Sequence, residues 1–242
     1  MAKIAAKNAT ILINGSKFST YTTAYETTHA VDPLDATGFS DGSRNFIPGI
    51  LTGKISADML WDATADTGIH AKLKTSGQTG HVTIIPEVYA VGVPSISLPF
   101  MQATYNPGAA VTDILKIGTL EFESYGDNNG VEIGNTLYQA TITNTATSTS
   151  FDNAAASTVK YSGIVHVWTP TSADTYAVKI EHSANDSVWA DLATFTISGN
   201  GQSITSARVT GTGTVNRYRR ITATRTGAAA DPFGFTVVLY TA

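Results

Sequence analysis

A chain of 242 residues with a net charge of -4, 14% charged and 42% hydrophobic residues is too apolar for a disordered segment and too sparsely charged for a coiled coil. Cysteine is absent, which excludes a disulfide framework and any thiolate metal site and leaves burial and hydrogen bonding to hold the fold. Thr, Val, Ile and Tyr suit half-buried pleated surfaces, so the expected class is mainly β.

Met1 to Lys7 lacks the apolar run of a signal peptide, and no stretch reaches the roughly 18 apolar residues of a membrane span. A soluble protein made in a cytoplasm, without a membrane anchor, is the expectation. Residues 10–14, followed by Gly15 and then Lys17 to Tyr25, predict a hairpin turning at Asn14-Gly15. Val31 to Ile50 is turn-rich, with Asp32-Pro33, Asp41-Gly42 and Pro48-Gly49, and reads as a long loop of the kind that usually carries function. Ile55, Ala57, Met59 and Trp61 alternate as a strand, and a helix over about 63–75 follows, capped by Asp62 or Thr64 with Ala65, Ile69 and Leu73 on one face.

Strands resume at His81, with Val82 and Ile84, a bulge or edge at Pro86 and then Val88 to Val91; Ser95 to Thr104 and Asp113 to Ser124 follow, and Val131 to Ile133 and Thr136 to Thr143 are expected as a closing pair. Residues 146–157 are low in complexity, charge and bulk, and read as a linker between a first domain, 1–145, and a second, 158–242. The second domain shows only strands: Val159–Trp168, Thr175–His182, Trp189–Ile197, Gln202–Thr210, Arg217–Thr224 and Phe233–Tyr240, the pattern of an antiparallel β-sandwich. Residues 1–154 carry 14 Asp and Glu against 8 Lys and Arg, and the remainder 5 against 7. An acidic first part disfavours affinity for nucleic acid phosphates.

His29, His70, His81, His166 and His182 occur singly, without the spacing of a hydrolase or zinc motif. Asp127 to Gly130 lacks the ligand ladder of a calcium loop, and Glu121 and Glu123 share one strand face as solvent-side residues do. No catalytic residue, metal or cofactor is expected; glycan cleavage would need two carboxylates about 5 to 10 Å apart in a cleft, a pair such as Asp186 and Asp191. Arg217-Tyr218-Arg219-Arg220 is the one basic cluster. With Trp168 and Trp189, the residues Arg217, Tyr218 and Arg219 are the candidate surface-binding residues for a host-surface glycan.

Residues 8–143 resemble the tail tube (major tail) proteins of long-tailed bacteriophages, the siphophages. The resemblance lies in element order and in local runs: DATGFSDGSRNFIPG over 35–49, KISADMLW over 54–61, Tyr105 to Gly108 followed by Val111 to Phe122, and the Gly126 to Gly130 turn. It implies a tail-tube-like β-sandwich or barrel with one flanking helix, followed here by an antiparallel β-sandwich as a C-terminal decoration domain. It further implies homohexameric rings that stack into a tube for genome ejection, with tape measure and tail terminator proteins as neighbours and DNA passing without specific binding. The virion tail is the implied location. Residues 31–50 would be an arm to the adjacent ring or subunit, touching it through Leu34, Phe39, Asp41, Arg44, Phe46, Ile47, Pro48 and Ile50. A capsid or tail decoration protein, or a carbohydrate-binding adhesin, is the competing reading.

Overall fold

The computed structural model describes residues 8–40, 42–64, 68–109, 113–126, 130–170, 173–198 and 206–241. In chain order its elements are β1 (Thr10–Ile13), β2 (Ser16–Lys17), β3 (Thr22–Asp35), β4 (Phe46–Leu60), α1 (Ile69–Leu73), β5 (Thr79–Ile85), β6 (Pro94–Gln102), β7 (Pro107–Gly108), β8 (Lys116–Ser124) and β9 (Glu132–Ile142). There follow β10 (Ala146–Thr147), β11 (Phe151–Asp152), β12 (Ser157–Thr169), β13 (Thr175–Ser183), β14 (Ala190–Ser198), β15 (Ser206–Val215), β16 (Tyr218–Thr226) and β17 (Phe233–Thr241). The molecule is mainly β with one short helix, as its residue stock implies, and no closed barrel forms among the described residues.

The chain divides into two compact units that interleave in sequence: unit 1 is Met1–Thr20, His81–Ser97 and Ile133–Ala242, and unit 2 is Tyr21–Gly80 and Leu98–Glu132. This differs from a boundary at 146–157. Two ladders explain the difference. Gly134 to Ile142 on β9 pairs with Phe233 to Tyr240 on β17, so a strand expected in the first domain is hydrogen-bonded to the last strand of the chain. The expected linker is itself paired, Ala146 with Ala223, Thr147 with Thr222, Phe151 with Arg219 and Asp152 with Tyr218. Low side-chain bulk does not stop a backbone from entering a sheet, because the ladder is made by main-chain groups.

In unit 1, the neighbours β15-β12-β17-β9 form one layer and β14-β13-β16, with β10 and β11 on β16, form the other. The inward positions of both layers meet in one core that includes Val165, Tyr176, Ile180, Phe195, Ile221, Phe233, Phe235 and Val237. Tyr176 stacks on Phe233 at 4.4 Å between ring centroids, Phe233 on Phe235 at 4.7 Å, and Phe235 on Tyr138 at 4.9 Å. Each large side chain so buried stabilises the fold by about 1.5–3 kcal/mol.

The opposite face of β12 is also buried, at Ile164 and His166. His166 Nδ1 accepts the Gly15 N–H at 3.2 Å, which puts the imidazole proton on Nε2, where Thr83 Oγ1 lies at 2.8 Å and is in turn 2.9 Å from Ser97 Oγ. Gly15 occupies its place because Asn14 (φ 46°) and Gly15 (φ 82°) form the two-residue turn between β1 and β2 that the Asn-Gly pair predicts.

In unit 2, β4 lies between β3 and β8, and β8 also pairs with β7 and with Phe100 to Gln102. Ile55, Ala57 and Met59 on β4 and Ile117, Leu120 and Phe122 on β8 are buried, with Phe100 edge-on to Phe122 at 4.7 Å. The helix is shorter than the expected 63–75. Asp62 Oδ1 accepts the Thr64 N–H at 2.9 Å in a local turn, residues 65–67 lie outside the described set, and α1 starts only after Gly68, which has no side-chain cap to offer. Ile69 and Leu73 still face inward, and Gln102 Nε2 donates to the Leu73 carbonyl at 2.7 Å, satisfying a helix-end acceptor.

Candidate assembly surface

Residues 31–50, expected as a loop, are two strand ends and a tip. From Lys54 to Leu60, β4 is paired on both sides; from Phe46 to Gly53, among the described residues, its ladder is with β3 alone. Ala30 to Asp35 and Phe46 to Thr52 therefore form a two-stranded ribbon, in the register Val31↔Leu51, Pro33↔Pro48, Leu34↔Ile47 and Asp35↔Phe46. The prolines that read as loop signals sit opposite one another beside a register shift between Val31 and Pro33, a place where a missing N–H costs the ladder little.

The tip is closed by side chains. Asp35 Oδ1 accepts the Thr37 N–H at 3.0 Å, Thr37 Oγ1 accepts the Asn45 N–H at 2.9 Å, and the Ala36 N–H donates to the Asn45 carbonyl at 2.8 Å. The hydroxyl and amide of Thr37 hold the Asp35 carboxyl below the usual carboxylate range.

The register places Phe46, Pro48 and Leu51 on one face of the ribbon, with Pro33 and Val31 opposite them, and Leu34 and Ile47 on the other. Both faces are apolar and both are open: Ile50 is 76% exposed, Leu34 54%, Phe46 50% and Ile47 49%, while Phe39 at the tip is fully exposed. Pro48 and Arg44 are exposed as well, and Asp41 lies outside the described residues. A lone two-stranded ribbon is marginal in water, and contiguous exposed apolar surface marks an interface. Among the described residues, β3 pairs with β4 only, so its other edge presents main-chain donors and acceptors over a 14-residue strand. Ile114, Leu115, Met101 and Tyr125 of unit 2 are exposed too. Alternation within β8 gives no signal for them, because Ile114 and Leu115 precede that strand.

Of the candidate surface-binding residues Trp168 stands apart, while Trp189, Arg217, Tyr218 and Arg219 lie at the His182 end of the β13/β16 pair. Trp168 is half-buried beside Gly234, with Lys17 Nζ 3.8 Å from its ring centroid. Trp189 precedes β14 in the other layer, at the His182 end of β13 rather than the Tyr176 end, and carries the Arg220 guanidinium at 4.1 Å over its ring. Arg217 lies in the bend before β16, where it makes paired 2.6 Å hydrogen bonds to Asp152 and stands over the Tyr218 ring. Arg219 is a correction: it shares the inward face of β16 with Ile221 and Ala223 and is fully buried, so it presents nothing to a surface ligand. Asp191, the candidate partner of Asp186, is bound to Lys179 Nζ at 2.6 Å.

The imidazoles are held by neutral groups. His29 Nδ1 is 3.1 Å from the Val131 carbonyl, His70 Nδ1 2.8 Å from the Tyr105 hydroxyl, and His81 Nδ1 2.9 Å from Ser206 Oγ. Burial, aided by Arg208, lowers His81 to about 4, and burial, aided by His81, lowers His166 to about 3, so both are neutral near pH 7. Among the described residues no group of three or more His, Asp or Glu is placed to hold a metal ion, and no helix is long and apolar enough to cross a membrane.

Neither protein-family models nor curated proteins give a match to this chain. Among solved structures it is similar to a chain of the virion of a native gene transfer agent particle, at 15% identity and a TM-score of 0.43 over 54% of this chain and 98% of that one. It is similar to a chain of the tail of an empty gene transfer agent particle with C6 symmetry, at 17% identity and a TM-score of 0.41 over 52% and 96%. The Dit protein of phage SPP1, described as a paradigm of the hub adsorption apparatus in phages infecting Gram-positive bacteria, is similar at 9% identity and a TM-score of 0.36 over 96% and 99%. Two of these are chains of gene transfer agent particles and the third is a phage hub protein.

Proposed function

We propose that the chain is a structural virion protein that works by self-assembly: copies form homohexameric rings, and the rings stack into the tail tube of a long-tailed phage. The ribbon carries this reading. Its two apolar faces and its tip need cover that unit 2 does not give them, and another copy of the chain is the partner that every copy would have at hand. Unit 2 contains 12 acidic against 5 basic residues, a balance that lets DNA slide past without sticking. The resemblance of the sequence's predicted element order and local runs to tail tube proteins supports the same role.

On this reading the protein is made in the host bacterial cytoplasm, resides in the virion tail, and meets tape measure and tail terminator proteins there. Turnover of a substrate has no part in it. Negative-stain microscopy of the concentrated, purified protein is expected to show rings or tubes. Particles that stay monomeric at high concentration would overturn the reading.

A further inference from the structure

The guanidinium of Arg219 is the largest fully buried side chain among the described residues, and its Nε, Nη1 and Nη2 all lack a hydrogen-bond partner. A desolvated cation without a counter-charge costs several kcal/mol, and arginine does not shed its proton to escape that cost.

The neighbours add donors rather than acceptors. His182, directly across the ladder on β13, accepts the Asn216 N–H on Nδ1 at 3.1 Å, so its neutral ring carries the proton on Nε2. Burial and the Arg219 charge both lower the His182 pKa, which keeps the ring neutral. Phe151, across the ladder on β11, offers only a ring. The two nearest carboxylates along these strands are already engaged: Asp152 gives both oxygens to Arg217, and Glu181 Oε2 takes Arg220 Nε at 2.6 Å and the Thr222 hydroxyl at 2.8 Å.

We infer that Arg219, with the Nε2–H of His182, is an internal anion site at one end of the unit 1 sandwich, and that it takes a small monovalent anion of the chloride class. Arg219 and His182 are cross-strand neighbours on one face, and a small anion beside them takes charge-assisted hydrogen bonds from one edge of the guanidinium and from the imidazole N–H. Full burial leaves no room for an extended ligand, and a halide sheds its hydration more readily than a multiply charged phosphate or sulfate. The half-buried side chain of His182 is the way in.

The test is thermal unfolding of the full chain at constant ionic strength, with chloride replacing gluconate stepwise. The wild type is expected to show a saturating rise in melting temperature, since a ligand bound only by the folded state stabilises it. Arg219→Met is expected to show a flat response. An equal rise in Arg219→Met, or no rise in the wild type, overturns the site. If Arg219→Met does not fold, bromide-soaked wild-type crystals decide: an anomalous peak against the guanidinium supports the site, and its absence refutes it.

Discussion

Among the described residues, unit 2 holds ten of the thirteen exposed large hydrophobic side chains, from Val31 to Tyr125, whereas unit 1 holds three, Val88, Ile133 and Val188. Charge divides the same way: unit 2 has 12 acidic against 5 basic residues and unit 1 has 7 against 10. Unit 1 spends its apolar residues on a sandwich core with stacked aromatic rings, so its stability is internal. Unit 2 keeps a smaller core and extends apolar residues outward on the ribbon. On the proposed reading, folding and assembly rest on different residues, and substitutions should separate them.

The largest effect is expected in the unit 1 core. Phe235→Ala removes a ring that touches both Tyr138 and Phe233, and should cost about 3–5 kcal/mol by urea unfolding. Acid comes next. The folded pKa values of His81 and His166, about 4 and about 3, lie below the ordinary 6.5, so the unfolded chain takes up protons first as pH falls. Stability should be full above pH 6.5 and decline from there to about pH 3, by a few kcal/mol at roughly 1.4 kcal/mol per pH unit per group. His166→Gln should flatten that decline in a circular-dichroism titration. A pH-independent wild type would show that the network from Gly15 to Ser97 does not require a neutral ring.

In unit 2, Gly53→Ala puts a Cβ 2.7 Å from the Val131 backbone nitrogen, and an atom of the main chain cannot rotate away. A loss of about 1–3 kcal/mol is expected in the same urea assay. The smallest effect on folding should come from Phe39→Ala combined with Phe46→Ala, under about 0.5 kcal/mol, because both side chains are exposed in the single chain. The same variant should lose rings or tubes in electron micrographs. A collapse of monomer stability would make these residues core and abolish the contrast between the units.

Much of the fold was legible locally. Asn14-Gly15 specified its turn, the alternation of Ile55, Ala57 and Met59 specified the inward face of β4, and the six strands after residue 157 stand close to where their periodicity put them. What escaped was set at long range. No local pattern announces that β9 pairs with β17, nearly a hundred residues away, and that pairing is what dissolves the expected domain boundary. The ribbon was obscured because Pro33 and Pro48 read as loop signals, yet they lie opposite one another in a register that only the folded hairpin defines. Arg219 reads as a surface residue because charge is usually exposed, and its burial with Ile221 follows from strand phase rather than residue type. The apolar arm residues were visible as a group, since Phe39, Phe46, Ile47 and Ile50 crowd a stretch otherwise made of turn formers.

Amide hydrogen exchange, compared between monomeric and assembled protein, tests the central claim most directly. The amides of Ala30 to Asp35 and Phe46 to Thr52 should exchange quickly in the monomer and be strongly protected after assembly, while those of β12, β13 and β17 are slow in both. A ribbon that exchanges equally fast in both states, with protection gained only elsewhere, would contradict the account.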